Sequence, residues 1–238
     1  MATPDKTQWY RDARFGLFLH WGLYSVSGRN EWGIYLDRMP LAEYSRLAHR
    51  FTPTRYEPRQ WADMMAASGV RYAVLTTRHH DGYCLFETKT TDFCAPKTGP
   101  RRDLIAPYAE AMREAGIRVG FYYSMSDWRH KGFWRPKDFP ESAARMVETT
   151  HAQMRELMSN YGTIDVLWHD GALWYDPEAP AATAYRSAEL NAMIRKLQPN
   201  IVLSNNGGIA EDFHTMENVI APLQDPTQMW ESCMEMDI

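Results

Sequence analysis

The feature that most constrains this chain is a repeated alternation. Short, nearly continuous apolar runs at residues 14–22, 72–77, 117–124, 164–168 and 201–205 are separated by stretches with helical spacing at 41–49, 59–68, 103–115, 142–161 and 180–197. Runs that are apolar on both faces are strands buried between two layers. Three of the helical stretches stop at Gly69, Gly116 and Gly162, where a C-terminal glycine is expected. Strand and helix in strict alternation predict an α/β fold with a parallel sheet. Such a sheet is either an open doubly wound sheet or a barrel. No G-x-G-x-x-G follows any strand, which argues against a dinucleotide-binding open sheet. Polar and aromatic residues gather at the strand ends instead, as in a (β/α)8-type, TIM-like barrel. Residues 229–238 add a sixth candidate strand, where a complete barrel has about eight. The expectation is therefore a barrel truncated at its C-terminal end.

Composition narrows the partners. The net charge is −4 with no basic run, so nucleic acid is not an expected partner. No apolar run approaches membrane-spanning length. Three cysteines, Cys84, Cys94 and Cys233, make no disulfide framework and favour a reducing compartment. The first residues lack the basic-then-apolar pattern of a signal peptide. The chain as given reads as cytoplasmic, or as secreted or periplasmic if a signal has been removed. Nine Trp and thirteen Tyr suit sugar stacking and a large core equally well. The oligomeric state is not legible.

The strand ends carry His20, His79-His80, Tyr123 and Asp170, the last in Leu167-Trp168-His169-Asp170-Gly171. A metal site is one reading of such a set. Neighbouring residues of a strand face opposite ways, so His79 and His80 chelate one ion only if their strand has already ended. H-x-H, H-E-x-x-H and C-x-x-C are all missing, and no metal or other cofactor is expected. A glycosidase is the other reading. It needs two carboxylates across one bond, one ionised and one protonated, plus polar groups for the sugar hydroxyls and an aromatic floor. Acidic candidates beyond Asp170 are Glu211, Asp212, Glu217 and Glu231.

Long segments carry a family resemblance. Residues 14–26, Glu31-Trp32, residues 72–82, Phe121-Tyr122-Tyr123-Ser124, residues 167–171 and Trp230-Glu231-Ser232-Cys233 together resemble the α-L-fucosidases of glycoside hydrolase family 29. The resemblance implies one catalytic (β/α) barrel domain over residues 1–238, with C-terminal barrel units missing. It implies retaining hydrolysis of terminal α-linked L-fucose from a fucosylated oligosaccharide or glycoconjugate, through a covalent glycosyl-enzyme. Asp170 matches the nucleophile. His20, Glu31, Trp32, His79, His80, Tyr123 and Trp168 match substrate-binding positions, with Tyr122 replacing Tyr123 if the strand register is off by one. The acid/base is Glu217, in Glu211-Asp212-Phe213-His214-Thr215-Met216-Glu217, or alternatively Glu231. Ser204-Asn205-Asn206-Gly207-Gly208 lacks the Arg that many members carry after this strand. A non-catalytic fucose-binding barrel or an inactive fragment is the alternative function.

Overall fold

A computed structural model of the chain describes residues 5–171, 180–221 and 227–236. Five strands, β1 (Gly16–Leu19), β2 (Tyr72–Arg78), β3 (Arg118–Ser124), β4 (Val166–Asp170) and β5 (Val202–Leu203), form one sheet in sequence order, every neighbouring pair parallel. β6 (Phe213–Glu217) and β7 (Met229–Cys233) form a parallel pair. A single bridge between Ser204 and Phe213 joins that pair to β5. The α/β class with a parallel sheet is thus the one expected from the alternation.

Helices cover the outer face. The helix Pro140–Asn160 buries Ala143, Met146, Val147, Thr150, Gln153, Met154, Leu157 and Met158. That is the three-and-four spacing of one helical stripe, and it packs on the sheet. The helices Pro58–Ala67 and Ile105–Glu114 do the same with shorter stripes. The larger core, which includes Leu75, Phe121, Leu167 and Leu203, lies between strands and helices. A smaller core lies on the other face and holds Tyr10, Val74, Tyr122, Val166, Trp168, Val202, Phe213 and Met229. Apart from Tyr10, on the helix Gln8–Ala13, these residues come from the alternate positions of each strand, as the pleat requires. The sheet curls around them: Phe18 of β1 meets Trp168 of β4 with ring centroids 5.5 Å apart. Among the described residues no helix is long and apolar enough to cross a membrane.

Three expectations need correction. β6 falls where no strand was expected, so seven strands are described rather than about six. The expected helix 180–197 is two helices, Ala181–Ala184 and Ser187–Leu197, broken at Arg186, which has a left-handed φ of 51°. The run 201–205 keeps only two residues as strand, because Asn205–Gly207 turns into a 3-10 helix.

Candidate active site

The interior columns of the sheet end in chemistry. β4 stops at Asp170, and its side chain is 28 % exposed. The Tyr122 hydroxyl, two positions before the end of β3, donates to Asp170 Oδ2. Burial, and then the charge of Asp170, raise the Tyr122 pKa, so this phenol stays a donor. His80 Nε2 lies 3.5 Å from the same oxygen. His79 packs on His80 with ring centroids 4.1 Å apart, and His20 meets His79 edge-on at 5.0 Å. Trp32 closes one side, its ring 5.5 Å from that of His80 and 5.2 Å from that of Trp128. Glu31 precedes it, half-buried.

The two histidines share the pocket because β2 has ended by then. The pairing of β2 with β3 slips between Thr76 and Arg78, and the strand stops at Arg78. His79 and His80 are therefore free of the in-out alternation. Both are almost wholly buried. Burial holds His79 well below the usual histidine value, helped by His80 and His20. It also pulls His80 down to about 4, against the opposing pull of Asp170. Both rings are neutral near pH 7. His79 Nδ1 has no hydrogen-bond partner among the described residues.

A short segment after β3 ties the strand ends together. Met125 N–H donates to Asp170 O and Trp128 N–H to His80 O, each at 2.8 Å. The Ser126 hydroxyl donates to Gly171 O. Beneath it Arg78 and Asp127, both with side chains only 1 % exposed, pair at 3.1 Å. Arg129 clasps the same carboxylate with Nε and Nη2 at 2.9 and 2.6 Å. Burial alone would raise the Asp127 pKa, yet Arg129 and Arg78 hold it well below the carboxylate range. Sequence reading missed this network. Its only trace was an arginine at the end of an apolar run.

Tyr123 is not part of the pocket, which corrects the expectation for that residue. It faces the helices, where its hydroxyl bonds Arg78 and donates to Gln153 Oε1 at 2.8 Å. Tyr122 takes its place, because a one-residue shift along a strand exchanges faces. Trp168 lies one layer below the rim, 4 % exposed, stacked on Tyr122 at 5.6 Å.

The two acid/base candidates are in different settings. Glu217 ends β6, exposed at the rim. Loss of hydration against the protein wall, then the charges of Asp170 and Glu235, raise its pKa. Glu231, in mid-strand on β7, points into the curl and accepts from four side chains. These are Tyr10 OH at 2.5 Å, Trp168 Nε1 at 2.6 Å, and Tyr72 OH and Thr215 Oγ1, each at 3.2 Å. That geometry makes Glu231 a clamp between elements, whereas Glu217 is an exposed carboxyl at the rim. Where the sequence lacks the expected Arg, Asn205 Nδ2 sits 2.6 Å from His214 Nδ1.

His79, His80 and Asp170 are also the one group among the described residues whose ligand atoms, all within 4.8 Å of one another, could hold a metal ion.

A sequence model of a family described as "Alpha-L-fucosidase" matches residues 2–238. The chain is 28% identical over 256 residues to the tissue alpha-L-fucosidase of Rattus norvegicus, covering 97% of this chain and 54% of that protein. It is similar in structure to alpha-L-fucosidase isoenzyme 1 from Paenibacillus thiaminolyticus, with a TM-score of 0.86 and 38% identity over 97% of this chain and 60% of that one. A Bacteroides thetaiotaomicron fucosidase, described as a trapped covalent intermediate in complex with 2-fluoro-fucosyl fluoride, matches with a TM-score of 0.86 and 27% identity over 98% of this chain and 60% of its own. The chain spans about half the length of the curated relatives it matches.

Proposed function

The chain belongs to the alpha-L-fucosidase family, and from that premise we propose that its rim residues perform retaining hydrolysis of a terminal α-linked L-fucoside. The ionised Asp170 carboxylate attacks the anomeric carbon and forms a C–O bond to it as the bond to the leaving oxygen breaks. Glu217 gives its proton to that leaving oxygen. As a carboxylate it then takes a proton from water, whose oxygen attacks the same carbon and releases Asp170. Tyr122 orients the nucleophile. His20, His79, His80, Glu31 and Trp32 line the sugar pocket, with Trp168 supporting it from below. The curled sheet is read as the wall of a (β/α)8-type barrel, with these residues forming one catalytic unit and the substrate a fucosylated oligosaccharide or glycoconjugate.

One observation carries the reading. A carboxylate held by a phenol and flanked by neutral imidazoles stands at a rim where a second carboxyl is biased toward its acid form. The test is an aryl α-L-fucoside assay on the chain and on Asp170→Ala, with circular dichroism on both. Turnover that vanishes in a folded variant supports the assignment. A folded wild type that binds fucose without turnover would make this a fucose-binding protein. A fucose complex is expected to show the two carboxyl groups about 5–5.5 Å apart, the separation a retaining mechanism requires.

The close grouping of His79, His80 and Asp170 supports a second reading, a metal-dependent hydrolase. It predicts that a chelator abolishes turnover and added zinc restores it. The fucosidase reading predicts turnover unchanged by the chelator.

A further inference from the structure

Ser124 ends β3 on the interior face, fully buried and in register with Asp170. Its hydroxyl makes two short contacts, 2.9 Å to the Ser126 carbonyl oxygen and 2.6 Å to His80 Nδ1. A hydroxyl has one proton to donate, and a carbonyl can only accept. The Ser124 proton therefore goes to Ser126 O, and His80 must be the donor in the second contact, through Nδ1–H. The ring is buried, and no hydrogen bond links Nε2 to Asp170 Oδ2, which already accepts from Tyr122, so the ring is in its neutral form. A neutral imidazole holds one proton, so Nε2 is bare. It faces Asp170 Oδ2 across 3.5 Å. Two acceptors facing each other favour a donor near them and disfavour a third acceptor.

We propose that Ser124 is a positioning residue that holds His80 in the Nδ1–H form, so that Nε2 accepts a proton from a sugar hydroxyl bound beside Asp170. The backbone reinforces the arrangement. Gly171 has φ +68°, and a Cβ there would lie 3.0 Å from His80 Cε1, 3.1 Å from His80 Nδ1 and 3.1 Å from Ser124 Oγ. The side of Gly171 that carries no side chain thus faces this pair, and any side chain there would push on both. The pocket selects a ring whose hydroxyl donates at that point. An analogue with fluorine or hydrogen in its place cannot donate there. The hydroxyl part of the proposal rests on the fucosidase reading; the position of the proton does not.

The test is NMR of 15N-histidine-labelled protein, reading the His80 ring nitrogens through their two-bond proton correlations. Unliganded wild type is expected to show a protonated Nδ1 and a bare Nε2. Ser124→Ala is expected to give a mixture of the two forms and about tenfold weaker fucose binding, as for one lost buried hydrogen bond. Ser124→Thr, which keeps the hydroxyl, is expected to restore both. A wild-type proton on Nε2 overturns the proposal, as does Ser124→Ala with unchanged spectrum and affinity. The wild-type spectrum decides the first point even if a variant fails to fold. Wild type that neither binds fucose nor cleaves a fucoside, with the spectrum as expected, removes the fucosyl reading and upholds the tautomer assignment.

Discussion

Asp170 and Glu231 sit on the interior face of the same curled arrangement of strands, and both are bonded by aromatic side chains. Asp170 accepts from the Tyr122 phenol and from the Gly171 N–H, and its side chain is open to the pocket. Glu231 has four side-chain donors, from the helix Gln8–Ala13, β2, β4 and β6. A carboxylate's partners, not its motif, decide its role. A carboxylate whose lone pairs are all engaged is a tie between elements. One with a side open to the pocket is available to react.

Mutation of the rim is the strongest way to break this contrast. Asp170→Ala is expected to lower kcat on an aryl fucoside at least about 10,000-fold, the scale of losing a covalent nucleophile. Its melting temperature should stay within a few degrees of wild type. Glu217→Gln should cost about 100- to 10,000-fold on a fucoside with a poor leaving group and far less on an activated aryl fucoside. Its raised pKa also predicts that the alkaline limb of kcat/KM lies above the usual glutamate value. Equal losses on both substrates would move the acid/base role away from Glu217. Glu231→Ala should instead act on stability, by about 3 kcal/mol in urea unfolding, because it orphans the buried donors of Tyr10 and Trp168. A Glu231 variant with unchanged stability and abolished turnover would reverse the assignment.

Acid sharpens the contrast more mildly. His79, His80 and His169 are buried neutral, the last two held down to about 4 chiefly by burial. Between the ordinary histidine value near 6.5 and pH 4 the unfolded chain binds protons that the folded chain does not, so stability falls as pH falls. Each is expected to cost about 2 kcal/mol between pH 7 and pH 5 in denaturant titrations. The smallest effect is that of Trp168→Phe, which removes one donor to Glu231 and keeps the ring stack on Tyr122. It should cost about 1 kcal/mol in the same titrations.

The strands were legible where they are buried on both faces, since β2, β3 and β4 are continuous apolar runs. β6 was not. Its interior positions Thr215 and Glu217 are polar, and five residues of Phe-His-Thr-Met-Glu resemble a turn as much as a strand. The pocket histidines were visible as residue types. Their joint presence depends on a pairing slip between β2 and β3 that only the folded register reveals. The same limit exchanged Tyr122 for Tyr123, because two adjacent tyrosines in a strand carry no mark of which faces in. The break at Arg186 has no glycine or proline to announce it.

The Glu231 clamp has a consequence for how the chain is made. Its bond to Tyr10 joins residues 221 apart in sequence, and its bond to Tyr72 joins residues 159 apart. Contacts of that separation close late in folding, because the loop entropy must be met before they form. At ribosomal speed, roughly 10 to 45 s pass between the synthesis of Tyr10 and that of Glu231. Until Glu231 is made, Tyr10, Tyr72 and Trp168 lack the carboxylate that binds them. The nascent inner face of the sheet is then an apolar surface lacking its central acceptor, the kind of transiently exposed surface that aggregates.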